Sequence, residues 1–180
     1  INITILVIRN SMIIRIILII LVSMRCASFK SNEAWDVDTQ FEKAKGYLDK
    51  KKYLRAQEEF NNLVIRGTHT ELGDDSQFYL AESYFLNKEY LLAIAEYDRL
   101  IRRMGFSPYV EKSRWRVCQS YIKESPKYYK DQTNTQKALN KLQEFIDDYP
   151  NSEYKEEANS QITELRNKLA YKEYATGVLY

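Results

Sequence analysis

Residues 78–100, FYLAESYFLNKEYLLAIAEYDRL, decide the fold. Phe78, Ala81, Tyr84 and Phe85 recur at spacings of three and four, which puts them along one face of a helix. Asn87-Lys88-Glu89 is a short polar break, after which Tyr90, Ala93, Tyr97 and Leu100 resume the spacing. Two amphipathic segments so joined predict an antiparallel hairpin, helix A before the break and helix B after it. The same hairpin stands 37 residues upstream in FEKAKGYLDKKKYLRAQEEFNNL, residues 41–63. Phe41, Ala44, Tyr47 and Leu48 fall on Phe78, Ala81, Tyr84 and Phe85; Tyr53, Ala56, Phe60 and Leu63 fall on Tyr90, Ala93, Tyr97 and Leu100. Helix A returns 37 residues downstream as Trp115, Cys118, Tyr121 and Ile122. A hairpin of this kind cannot cover its apolar face alone, so the period predicts a stack. The expected fold is all-α, an α-α superhelix (right-handed solenoid) in which the small residues let paired helices approach.

The spacing resembles the tetratricopeptide repeat, with Ala81, Tyr84, Tyr90, Ala93 and Tyr97 at consensus places. Leu80 and Val117 hold the large residue before the small one, where the first unit has Lys43. Pro150 matches the closing proline, and Pro108 stands a few residues late. Repeats are expected at about 38–72, 74–108 and 111–150. The third breaks the period, because its helix-B alanine is Ala138, eight residues beyond the 37-residue offset. The insert lies in ESPKYYKDQTNT, where Pro126 ends helix A and helix B restarts near Thr135. It reads either as exposed padding or as a docking element. Asn151 and Ser152 are expected to cap a further helix through Ala158, Ile162, Leu165 and Leu169. Gly177 and Tyr180 then repeat the small-then-aromatic spacing, so 152–180 reads as an incomplete fourth repeat of a longer protein.

The N-terminus has another character. Ile16 to Val22 is apolar, follows Arg15 and precedes Ser23 and Cys26. The run is far short of the roughly 18 to 20 residues that span a bilayer, and fits the h-region of a signal peptide. A Cys at this place resembles the lipobox of bacterial lipoproteins, although Arg25 stands where a small residue is usual. Lipidation of Cys26 is therefore expected, against an uncleaved anchor or an ordinary thiol. Residues 1–26 read as signal peptide and lipobox, with Met12 a candidate start; 27–37 read as a polar tether, and 38–180 as the repeat domain.

Composition narrows the function class. Setting aside Arg9, Arg15 and Arg25 leaves 24 Lys and Arg against 25 Asp and Glu, no basis for nucleic-acid binding. The single histidine, His69, excludes a Ser/His/Asp or paired-His site beyond itself; no phosphate loop or HExxH is present. Cys118 replaces a small packing residue and is expected to be a buried thiol. Arg99, Arg102 and Arg103 suit a helix C-terminus, and Asp147-Asp148 a solvated face. No enzyme activity, cofactor or metal is expected.

ESPKYYKDQTNTQKALNKLQEFIDDYPNSEYKEEA, followed by ELRNKLAYKEYATGVLY, is similar to the corresponding stretch of the BamD family, lipoproteins of the bacterial β-barrel assembly machinery. The leader with Cys26, a short tether and then tetratricopeptide hairpins match that family's layout. The resemblance implies a lipid anchor in the outer membrane, facing the periplasm, with the barrel subunit BamA and nascent outer-membrane proteins as partners. Another cell-envelope tetratricopeptide adaptor is the alternative.

In tetratricopeptide geometry the helix-A positions three before and four after the small residue line a concave groove. Here they are Phe41, Phe78 and Trp115, with Leu48, Phe85 and Ile122; the position directly after the small residue adds Lys45, Glu82 and Gln119. Such a groove suits a peptide segment with apolar anchors. The competing reading is packing between hairpins, above all for Leu48 and Ile122. The Lys and Asn cluster with which co-chaperone repeats grip a C-terminal carboxylate is not assembled at Phe41 and Lys45.

Overall fold

Three residues separate the first two helical segments, too few for anything but an antiparallel return. In the computed structural model, which describes residues 36–67 and 70–178, that link joins α1 (Val37–Asp49) to α2 (Tyr53–Arg66). A second three-residue link joins α3 (Gly73–Leu86) to α4 (Tyr90–Arg103). An eight-residue link joins α5 (Val110–Glu124) to α6 (Thr133–Asp148), and α7 (Lys155–Gly177) follows. The described residues contain no strand, and each helix packs on the next in chain order. The hairpins α1/α2, α3/α4 and α5/α6 therefore stack as an α-α superhelix, the expected fold class. Cys26, the leader, the tether to residue 35, His69 and Tyr180 lie outside the described residues.

The two short turns are built alike, without glycine. Lys51 (φ 57°) and Lys88 (φ 65°) both take the left-handed conformation and stand 37 residues apart. In each turn the next amide reaches back five residues, Lys52 N to Tyr47 O at 2.8 Å and Glu89 N to Tyr84 O at 2.9 Å. These bonds satisfy carbonyls that the end of helix A would leave open. Ala44, Ala56, Ala81, Ala93, Ala138 and Ala158 are all fully buried where helices cross. Larger side chains there would force neighbours off their rotamers, at about 1–3 kcal/mol each.

The long link is folded rather than loose. Gln132 Nε2 donates to the carbonyls of Lys127 (2.8 Å), Lys130 (3.0 Å) and Tyr128 (3.2 Å). Its Oε1 accepts from the Thr135 hydroxyl at 2.7 Å, which lies 2.6 Å from Ser125 Oγ. Helix α7 braces the link from outside: Lys168 Nζ donates to Ser125 Oγ at 2.9 Å, and Tyr128 meets Tyr171 edge-on at 4.7 Å.

Two helix starts differ from expectation. Helix α6 begins at Thr133, whose amide is received by Asp131 Oδ2 (3.3 Å), two residues ahead of the expected Thr135. Helix α7 begins at Lys155, so Asn151 and Ser152 belong to the preceding turn; Ser152 Oγ accepts the Tyr154 amide instead of capping. Gly177 lies in that same continuous helix.

Candidate functional site: the helix-A face

Helices α1, α3 and α5 carry the positions that the repeat pattern singles out. The three aromatics of the ladder are not open to a ligand: Phe41, Phe78 and Trp115 are 6%, 1% and 3% exposed. Each instead closes the seam to the following hairpin. Phe41 meets Tyr79 edge-on at 5.7 Å, Phe78 stacks on Tyr109 at 4.4 Å, and Trp115 stacks on Tyr154 at 5.3 Å. This corrects their assignment to the groove, because a solenoid must bury an apolar face between neighbours before it can offer one to a partner. Leu48, Phe85 and Ile122, favoured for packing or left open by sequence, keep half-buried surfaces on these helices.

The apolar spacing of the repeats does not single out Tyr109 and Tyr154. Each is the residue just before a helix, in Ser107-Pro108-Tyr109 and Ser152-Glu153-Tyr154, with its amide donating to the serine hydroxyl at 3.2 Å. The two motifs are 45 residues apart, the 37-residue period plus the eight-residue insert. That recurrence was a usable signal. Tyr109 also donates its hydroxyl to Asp75 Oδ1 (2.6 Å), and Ser107 donates to Asp74 Oδ2 (2.6 Å), anchoring the turn at the start of α3. Burial, and then the Asp75 bond, push the Tyr109 hydroxyl pKa up.

The polar positions pair across hairpins as rungs. Lys45 Nζ donates to Tyr79 Oη at 3.3 Å and lies 4.6 Å from that ring's centre. One repeat on, Glu82 is 7% exposed and receives Arg116 through Nε (2.6 Å) and Nη2 (3.0 Å). Tyr97 Oη donates to the same carboxylate at 2.5 Å. Burial first, and the Glu82 carboxylate second, push the Tyr97 hydroxyl well above its ordinary pKa. Arg116 reaches Gln119 Oε1 at 2.9 Å and covers the Phe85 ring at 4.7 Å. Lys45 and Glu82 thus fix hairpin to hairpin, and Gln119 steadies Arg116 from within the same helix. What remains partly accessible is half-buried Leu48, Phe85 and Ile122, with Phe85 under Arg116 on one ring face and Phe85 and Ile122 packed in part on the core, flanked by Lys45 and Gln119. This face can hold an elongated segment by spaced apolar contacts and offers no group poised for covalent chemistry.

The other side of the stack has two clefts at repeat-equivalent seams. One, about 470 Å³, is lined by Ile65, Gln77, Arg99 and Arg103; the other, about 180 Å³, by Asp98, Arg114, Lys141 and Glu144. In the second, burial raises the Asp98 carboxyl against the pull of Arg102 and Lys141. Cys118 is buried, its thiol pushed up to about 12 by that burial, so it carries no thiolate at neutral pH. Among the described residues no group of His, Cys, Asp and Glu could hold a metal ion, and no helix is long and apolar enough to cross a membrane.

The stack of seven helices among the described residues coincides with one family. The model of the YfiO family, outer membrane lipoprotein, matches residues 34–180. The chain belongs to this family. The match spans all three hairpins, the insert and α7, and it agrees with the resemblance carried by the DQTNT and YPNSEY segments. The family is one of outer-membrane lipoproteins, which supports an outer-membrane location for the chain. No curated protein matches the sequence at a significant level.

Proposed function

We propose that this chain is a non-enzymatic scaffold of the outer-membrane β-barrel assembly complex, lipid-anchored through Cys26 at the periplasmic face. It binds the barrel-forming subunit BamA and nascent outer-membrane proteins. The observation that carries this reading is the family match running unbroken over a hairpin superhelix, an architecture that presents surface and no chemistry. Client segments rich in aromatic and aliphatic side chains would seat their anchors against Leu48, Phe85 and Ile122, with Lys45 and Gln119 meeting their polar groups. Rungs such as Arg116–Glu82 join hairpin to hairpin on this side, which lowers the ordering cost of binding.

Affinity purification of the full-length protein from detergent-solubilised envelope tests the reading. Recovery of a barrel-assembly subunit at near-equal amounts is expected. Its absence, with other envelope proteins recovered, would assign the chain to a different envelope adaptor. Intact-mass analysis of the same material tests the anchor, and an unmodified Cys26 would remove it.

A further inference from the structure

Because successive helices run antiparallel, the three A-to-B links share one edge of the stack. The contacts agree: Gln57, at the start of α2, donates to Glu89 Oε2 in the next link at 2.5 Å. This edge has a composition unlike the rest of the domain. The first link exposes Lys50, Lys51 and Lys52, the second Lys88, and the third Lys127 and Lys130. Against these six ammonium groups Asp131 is the exposed carboxylate within the links and Asp49 stands just before the first, since Glu89 is held by Gln57 and Asn87. The opposite edge carries Glu71, Asp74 and Asp75 at one turn and Glu153, Glu156 and Glu157 at another, offset in part by Arg66, Arg102 and Arg103 at the ends of the B helices. The A-to-B edge is thus net positive in a domain that is nearly neutral overall, whereas the opposite edge is mixed in charge.

Apolar side chains project among the lysines. Leu54 and Leu91 occupy the same place in successive repeats, one residue into helix B, and are 67% and 57% exposed. Leu92 lies beside Leu91, and the third link puts Tyr129 outward at 62% exposure. Nothing in hairpin packing asks for leucine at those places, because Ala56, Phe60 and their equivalents already fill the core. Lysines flanking short apolar projections are the pattern of a surface that rests on anionic headgroups and inserts shallowly beneath them. Tyrosine suits the same depth, with an apolar ring and a wet hydroxyl.

We propose that this edge of A-to-B links docks directly on an anionic phospholipid surface, orienting the superhelix on the membrane independently of any lipid anchor. Lysine ammonium groups pair with headgroup phosphates while Leu54, Leu91, Leu92 and Tyr129 enter the interface. The occupant follows from charge complementarity, from apolar projections too scattered to form a pocket for a folded protein, and from membership in an outer-membrane lipoprotein family.

Co-sedimentation of the full-length protein tests this, using phosphatidylcholine vesicles with and without phosphatidylglycerol. Any leader contribution is common to all variants and is measured on the neutral vesicles. Replacing Lys50, Lys51, Lys52 and Lys88 with Gln is expected to lower partitioning onto anionic vesicles at least tenfold, since each lysine near such a surface contributes roughly fivefold. Replacing Arg102 and Arg103 on the opposite edge with Gln is expected to change it by less than about twofold. Equal losses from both sets, or no loss from the lysine set, overturn the proposal. A second readout is position-specific: Leu91→Trp is expected to be quenched by brominated lipids at the acyl boundary. An unquenched indole on vesicle-bound protein overturns shallow insertion. Wild-type binding to polyglutamate with none to anionic vesicles would make the edge a protein-docking surface and also overturn it.

Discussion

Replacing Arg116 with Met removes the cation that joins the second hairpin to the third. The side chain makes two bonds to Glu82, at 2.6 and 3.0 Å, and is about a quarter exposed, whereas Glu82 is nearly buried. A hydrogen bond to a charged group contributes about 1.5–3 kcal/mol when sheltered, and partial exposure reduces that. After the substitution Glu82 keeps only the Tyr97 hydroxyl of its three donors, so it carries a desolvated charge with most of its compensation gone. The methylene stem of Met still covers Phe85, which limits the packing loss. The expected cost of Arg116→Met is therefore about 2–3 kcal/mol, and Glu82→Leu alone should cost a similar amount by stranding the guanidinium. Together they remove both charges, and the double variant should recover about 1–2 kcal/mol relative to the sum of the singles. Urea unfolding followed by circular dichroism, with midpoints and slopes for all four proteins, measures this coupling. Costs that add to within about 0.5 kcal/mol would refute the rung as a unit.

The Cys118 thiol's contribution to stability should be level below pH 9 and fall as pH rises from 9 towards 12, because the unfolded thiol ionises near 9 while the folded one is held up to about 12. The predicted slope is about 1.4 kcal/mol per pH unit for that one group, and urea midpoints at two alkaline pH values should show a shallower fall for Cys118→Ala. Lys88→Gly should stabilise by roughly 0.5–1 kcal/mol, since glycine takes φ 65° without the Cβ clash; a loss would show that the lysine side chain is holding the turn. Gln132→Ala should cost about 1 kcal/mol by removing the bonds to three half-sheltered carbonyls of the long link. Hydrogen exchange should then quicken at residues 125–132 and leave α1 to α4 unchanged. Phe78→Ala should cost about 3–5 kcal/mol, as removal of a seam residue does, and any loss of partner affinity would follow that unfolding.

The superhelix was legible in the 37-residue period because hairpin packing repeats the same small and aromatic residues at the same places. The long link was legible too, as a break in that period, yet its order was not. Gln132 acts on carbonyls two to five residues away, and no pattern of apolar residues reports such bonds. The groove assignment failed at Phe41, Phe78 and Trp115 for a specific reason. A face shared by two hairpins and a face open to a ligand have the same helical spacing, and only the next hairpin decides between them. Tyr109 and Tyr154 are that next hairpin's contribution, visible beforehand only as the repeated Ser-x-Tyr before a helix. The helix starts were misjudged at Asn151 and Ser152 because a serine hydroxyl serves a turn amide as readily as a helix amide.

The central claim is that the helix-A face of Leu48, Phe85 and Ile122 is where protein partners of the outer membrane are held. In-cell photocrosslinking with a photoreactive residue at each of those three positions, and at exposed Gln143 on α6 as reference, tests it most directly. The account predicts adducts to the barrel-assembly subunit or to nascent outer-membrane proteins from the helix-A positions and little or none from Gln143. Equal adducts from every position, or none from Leu48, Phe85 and Ile122 in a protein that remains folded, would contradict it.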